Sequence, residues 1–261
     1  MTRFQTLPRV MLAPNGARRM KADHPALPIT IAETVAAAKA GFDAGADALH
    51  AHIRDAEGRH SLDPGLYREL LAEMARVVPH IPVQITTESA GLFDAATQIA
   101  TVRAVEPESA SVAIRELWAD PAMQDEARRF YAWADEAGIA IQHILYTPDD
   151  VQQLARLIAD HALLEQVQCI FVLGAYTPPS PGRPDMIDAF LDAATALPLA
   201  PDWAVCAFGP CEISCLVAAA QKGGKMRIGF ENNMIGPDGR PFADNTDSLR
   251  HLMDRLAQQD L

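Results

Sequence analysis

Along this chain a short apolar run is followed, again and again, by an amphipathic stretch, and no linker or composition shift interrupts the pattern. Strand-like runs alternating with helical patterns build βαβ units on a parallel sheet. The strand-like runs are Arg9–Ala13, Ala46–His52, Pro82–Thr87, Ser109–Ala113, Ala140–Leu145, Val167–Leu173, Trp203–Ala207 and Met226–Phe230. The helical patterns are Ile31–Ala44, Pro64–Val78, Asp94–Val105, Pro121–Ala137, Asp149–His161, Asp185–Ala196, Glu212–Gln221 and Asp247–Gln259. Thr30 with Glu33 forms a capping box before the first helix, and Gly138 sits where a helix ends. Eight such pairs in 261 residues predict an α/β protein, one (β/α)8 TIM barrel over residues 1–261. The rival is an open doubly wound sheet. It calls for a glycine-rich phosphate turn after the first strand, and Pro14-Asn15-Gly16-Ala17 is not one.

Composition narrows the function classes. With 22 basic against 34 acidic side chains the net charge is −12, which disfavours nucleic acid as a partner. No apolar run has the length to span a bilayer, and Met1-Thr2-Arg3-Phe4-Gln5 shows no cleavable signal pattern, so the expected location is cytoplasmic, with no membrane partner. Four cysteines are too few for a disulfide scaffold of this size. Cys211 and Cys215 share a helix face without an accompanying Cys-x-x-Cys, and the expectation is reduced, buried thiols.

The chemistry collects at the ends of the strands, where such barrels carry their active sites. His50 and His52 lie two apart on the second strand, so both imidazoles project from one face. Two imidazoles make half of a zinc site; the same pair also reads as one buried neutral histidine and one that caps a loop. Glu231 ends the eighth strand, either as a third ligand or as a carboxylate paired with Arg227. Strands two and eight both flank strand one in a closed barrel, which leaves about 10 Å between their backbones. Polar residues end other strands as well: Asn15 and Arg18 on the first, Thr86, Thr87 and Glu88 on the third, Ser111 on the fourth, Tyr146 and Thr147 on the fifth.

Several segments together resemble the β-keto acid cleavage enzyme family. They are Ala13–Arg18, His24–Thr30, the His50-x-His52-x-Arg54 strand, Gln84–Thr87, Phe171–Gly174 and Arg227–Asn233. The resemblance spans nearly the whole chain and implies a zinc-dependent (β/α)8 barrel, a homotetramer, that condenses a β-keto acid with acetyl-CoA to give acetoacetate and an acyl-CoA. By the same resemblance His50, His52 and Glu231 are the Zn2+ ligands. Arg227 lies beside the metal, and Thr86 and Ser111 lie near the substrate. The chain departs from the family pattern at three places. Glu-Asp-Asn reads Glu231-Asn232-Asn233, Ala113 replaces an asparagine, and Gly209-Pro210-Cys211 stands where a Gly-Arg pair is frequent.

The first departure matters most, because the family's aspartate serves as base or base relay and Asn232 cannot ionise. The candidates for the base are then Glu88, a metal-activated water and His143. Two other readings stay open: a zinc hydrolase or lyase that uses no CoA, and a barrel that only binds metal or metabolite. Family members that take an amino-bearing keto acid offer a glutamate from the strand-one loop. The aligned position here is Arg18, whose planar fork suits a carboxylate. The expected substrate is therefore a neutral or anionic β-keto acid, with Asn15, Arg18, Thr87 and Ser111 as its contacts.

Overall fold

The computed structural model describes residues 4–261, so Met1-Thr2-Arg3, part of the lead-in with no signal pattern, lies outside the described residues. The eight barrel strands are β1 (Val10–Leu12), β2 (Ala48–Ala51), β3 (Val83–Thr86), β4 (Ser109–Ala113), β5 (Ala140–Leu145), β6 (Gln168–Ala175), β7 (Asp202–Ala207) and β8 (Lys225–Ile228). All pair in parallel in the order β7-β8-β1-β2-β3-β4-β5-β6, and the β6–β7 pairing, with Trp203 opposite Cys169, closes the ring. Helices α1 (Ile31–Asp43), α2 (Pro64–Val77), α3 (Ala95–Val105), α4 (Gln124–Glu136), α5 (Pro148–Ala159), α6 (Met186–Ala194), α7 (Glu212–Gln221) and α8 (Asn245–Ala257) cover the outside. No helix of the described residues is long and apolar enough to cross a membrane.

Pleating sorts each strand into two faces. Outward residues such as Leu49, Ile85, Val112, Phe171 and Ile228 join the large apolar layer under the helices. The inward set differs. Near the base Phe4, Met11 and Ala48 cluster together, and Ala113, Ile144, Ile170, Val172, Ala204 and Cys206 line one side. The rest of the interior is polar, with His50, Gln84, Thr86, Ser109, Ser111, Gln142 and Arg227 all buried. Burying so many polar groups costs free energy unless each finds a partner, which marks the interior as built for chemistry.

The expected elements shift at their ends for local reasons. The second strand stops at Ala51; past His52, Ile53–Arg54 pairs antiparallel with His60–Ser61 as a small hairpin. The stretch expected as one helix from Pro121 is a 3-10 turn at Pro121–Met123 followed by α4, and a short helix at Ile114–Leu117 precedes it. The last helix begins at Asn245 because Asp244, just before it, accepts from the Asp247 amide as its cap. The proline-rich loop holds a bridge, Ser180–Pro181 against Gly174–Ala175. The eighth strand ends at Ile228 because Gly229 adopts φ +146, a conformation that L side chains rarely take. The four cysteines are free, with Cys211 half-buried and the other three buried.

Candidate metal centre and active site

β1 sits between β2 and β8, and the ends of the flanking strands bring His50, His52 and Glu231 together. One ligand atom from each lies within 4.8 Å of the others, and all three residues are buried. His50 Nε2 and His52 Nε2 are 3.3 Å apart, and Glu231 Oε2 is 3.5 Å from each. That oxygen has no hydrogen-bond partner. Two imidazole nitrogens and an unsatisfied carboxylate oxygen converging on one point are what a divalent cation requires, and the His2Glu set fits zinc with an open position. Burial first, then the Arg227 charge, pushes the His50 pKa down to about 3, so its imidazole is neutral as a ligand must be. Burial opposes ionisation of Glu231, yet Arg227 and the two histidines outweigh it and hold the carboxyl well below the usual range.

The geometry has room for both sequence readings of Glu231 at once. Its Oε1 accepts from Arg227 Nη2 at 2.9 Å while its Oε2 faces the histidines. Arg227 is buried and also touches Cys206 Sγ at 3.4 Å, but its Nε and Nη1 have no partner. Buried guanidinium N–H groups left open are suited to pairing with a carboxylate. Asn232 is fully buried, and both atoms of its amide are unpartnered.

The turn that carries Glu231 is tied from all sides. The Phe230 amide donates to Asn245 Oδ1 at 2.9 Å, and the Glu231 amide donates to the Ala13 carbonyl at 3.1 Å. Arg19 donates to the carbonyls of Phe230 and Asn232, and the Tyr176 hydroxyl donates to that of Glu231. Below the turn, Glu212 accepts from the Gly229 amide and from Asn233 Nδ2, and burial pushes its carboxyl well above the usual range. A Cβ at Gly229 would lie 2.3 Å from the Ala13 carbonyl oxygen, and one at Gly16 would lie 2.7 Å from Glu231 Cγ. Gly229→Ala is accordingly expected to cost about 1–3 kcal/mol from backbone strain alone, with a further loss from the clash. Thermal unfolding and Zn2+ titration of the variant check both the stability and the displacement of Glu231.

The other expected site residues fall into two groups. Thr86 and Ser111 point into the barrel with their hydroxyls 3.4 Å apart. The Thr86 hydroxyl oxygen accepts from the Glu88 amide, and the Glu88 carboxylate reaches within 3.9 Å of His52 Nε2. The second group makes committed backbone contacts or lies at the rim. Asn15 is fully buried, its amide paired at both ends with the His52 backbone. The Thr87 hydroxyl donates to the Ser111 carbonyl. Arg18 is exposed at the mouth, 5.9 Å from the centre of the Tyr176 ring, while Arg19 is the one tucked under the strand-eight turn.

His143, weighed as a base, is corrected by the fold. It is an odd-numbered residue of β5, so it faces outward and packs 5.5 Å from the ring of Tyr131 on α4. Tyr176, Arg19 and Glu212 were missed as parts of the site. Only their side-chain chemistry near strand ends signals them in the sequence, and their partners lie far away along the chain.

The sequence of residues 9–260 matches the family model described as beta-keto acid cleavage enzyme. Over 104 residues the chain is 31% identical to a 3-oxoadipate:acetyl-CoA acetyltransferase from Cupriavidus necator, covering 40% of this chain and 36% of that protein. It is 23% identical over 252 residues to a 3-keto-5-aminohexanoate cleavage enzyme from Fusobacterium nucleatum subsp. nucleatum, covering 94% of this chain and 89% of that one. Among solved structures, a ternary complex of ObcA with a C4-CoA adduct and oxalate superposes with a TM-score of 0.70 at 14% identity. That match covers 90% of this chain and 65% of the other, so the chain spans less than two thirds of ObcA, and it supports the barrel fold.

Proposed function

The chain belongs to the β-keto acid cleavage enzyme family, and from that premise we propose that it condenses a β-keto acid with acetyl-CoA, giving acetoacetate and a new acyl-CoA. The observation that carries the reading is the convergence of His50, His52 and Glu231 beside an Arg227 whose Nε and Nη1 are unpartnered. The names of the relatives, with acetyl-CoA in one and keto acids in both, support it. A divalent metal, zinc on this reading, supplies Lewis-acid polarisation of the keto carbonyl when bound by the three ligands.

The protein's own residues do the rest. Arg227 holds the substrate carboxylate through its open N–H groups and stabilises negative charge as it develops. Thr86 and Ser111 offer hydroxyls from the facing wall. Glu88 takes the proton from the carbon between the two carbonyls. The carbanion forms a bond to the acetyl carbon of acetyl-CoA and displaces the thiolate. The thiolate then takes up the acyl group as the original bond between keto carbon and methylene breaks, and the proton returns to give acetoacetate. Atoms balance without an oxidant or reductant. The homotetramer and cytoplasmic placement expected from the sequence belong to the same proposal. An assay of a β-keto acid panel with and without acetyl-CoA tests it. Acetoacetate release that depends on acetyl-CoA is expected, and equal turnover without acetyl-CoA, or none with it, overturns the reading.

The substrate's far end is read at the mouth. The Arg18 guanidinium is exposed beside Tyr176, and that exposure supports a role in meeting a second carboxylate. A keto-dicarboxylate, the class to which 3-oxoadipate belongs, should be preferred over an amine-bearing acid of equal length. Arg18→Ala is expected to lower kcat/KM for the dicarboxylate about tenfold, the lower end for a charge-assisted bond because the group is exposed. Steady-state kinetics on matched substrates ending in carboxylate, methyl or amine check it. An unchanged ranking in the variant refutes the assignment.

A further inference from the structure

The buried amides beneath the metal site form a chain with a definite direction. His50 Nδ1 lies 2.8 Å from Gln84 Oε1. Gln84 Nε2 donates to Ser109 Oγ and to Gln142 Oε1, each at 3.2 Å. Gln142 Nε2 donates to the Cys169 carbonyl at 3.4 Å. Gln84 and Gln142 are both essentially fully buried, so water cannot substitute for any of these partners.

An amide can be turned over without changing its shape, so the orientation of a glutamine has to be argued from what it faces. Here the far end settles it. A backbone carbonyl only accepts, so Gln142 must present Nε2 to Cys169 and therefore Oε1 to Gln84. Gln84 must answer with Nε2, and only Oε1 is left for the histidine. His50 must then carry its proton on Nδ1, which leaves a lone pair on Nε2, the atom that faces His52 and Glu231. Reversing any link would set oxygen against oxygen or nitrogen against nitrogen in a site closed to solvent, where each unmet group is costly. His52 has no such support, for its Nδ1 is buried and unpartnered.

We propose that Gln84 and Gln142 form a polarised relay, anchored on the Cys169 carbonyl, that fixes the His50 tautomer and so presets the metal affinity of the centre. The proposal rests on the metal reading above for its affinity arm and stands apart from it for its tautomer arm. Gln84 and Gln142 act as positioning residues. Gln84 works through His50, and Gln142, which touches no ligand, works through Gln84.

The test is Zn2+ titration of metal-stripped protein against a chromophoric chelator, with 15N NMR of the imidazoles in the metal-free state. Gln84→Leu is expected to weaken Zn2+ binding about 10–100-fold, the usual cost of losing an outer partner of a ligating histidine. Gln142→Leu should weaken it as well and should leave His50 as a mixture of tautomers. Gln84→Glu, whose carboxylate still accepts from Nδ1, should restore tight binding when it is combined with Gln142→Leu, which removes the amide oxygen that would otherwise face the carboxylate. Circular dichroism establishes that each variant is folded, and the Gln84→Glu arm keeps the test decisive if Gln84→Leu is not. Unchanged Zn2+ affinity in folded Gln84→Leu, or a single Nδ1–H tautomer in Gln142→Leu, overturns the relay. Failure of the unmutated protein to take up Zn2+ overturns the metal reading instead, and the tautomer measurement still decides the relay.

Discussion

Replacing both His50 and His52 with alanine is expected to abolish metal uptake and to lower turnover at least about 1,000-fold, since carbonyl polarisation by a metal contributes several kcal/mol to the barrier. A single ligand, Glu231, would remain, and it already has an alternative partner in Arg227 at 2.9 Å. The barrel should still close, because closure depends on backbone pairing between neighbouring strands, in which neither imidazole takes part. His50 lies at the inner face of β2 and His52 just past its end, so their removal takes no apolar group from the layer under the helices. The measurement is metal content by mass spectrometry beside activity and a thermal melt. Full metal occupancy in the folded double variant would refute the assignment of the ligands.

Glu88→Gln is expected to lower kcat about 10²–10⁴-fold, the usual contribution of a positioned general base. With His143 outside the barrel and Asn232 unable to ionise, Glu88 is, among the described residues, the carboxylate that approaches His52 Nε2 besides Glu231, which is already paired with Arg227. The Thr86 hydroxyl braces its backbone at 3.0 Å, so the side chain starts from a fixed point at the end of β3. Metal content should stay unchanged in the variant, which separates proton transfer from ligation. Asn232→Asp in the Glu88→Gln background should recover part of the loss, because it returns a carboxylate to the strand-eight turn. A Glu88→Gln enzyme as fast as the parent would exclude Glu88 as the base. Lost activity with no recovery on adding Asn232→Asp would leave Glu88 as base and show that the buried position of Asn232 does not accept a working carboxylate.

Much of this was legible in the sequence because it follows from short-range regularities. Strand pleating and helical periodicity repeat within a few residues, so the strand–helix alternation points to a barrel without knowledge of any contact. The same pleating puts His50 and His52 on one face, and barrel order alone brings the ends of β2 and β8 to either side of β1. Element ends were less legible. Gly229 breaks β8 through a backbone conformation, and Asp244 starts α8 early through a single side-chain bond.

What only the tertiary structure decided is which polar group finds which partner. Arg18 and Arg19 are adjacent and chemically identical, yet Arg19 is held by carbonyls more than 200 positions away and Arg18 stands in solvent. Tyr176 gains its role from the Glu231 carbonyl, and Gln84 gains its role from His50 on one side and Gln142 on the other. Periodicity says which way a side chain points within its own strand, but a hydrogen bond needs donor and acceptor within about 3 Å and in line. That precision arises only when closing the ring sets strands from distant parts of the chain side by side in a fixed register.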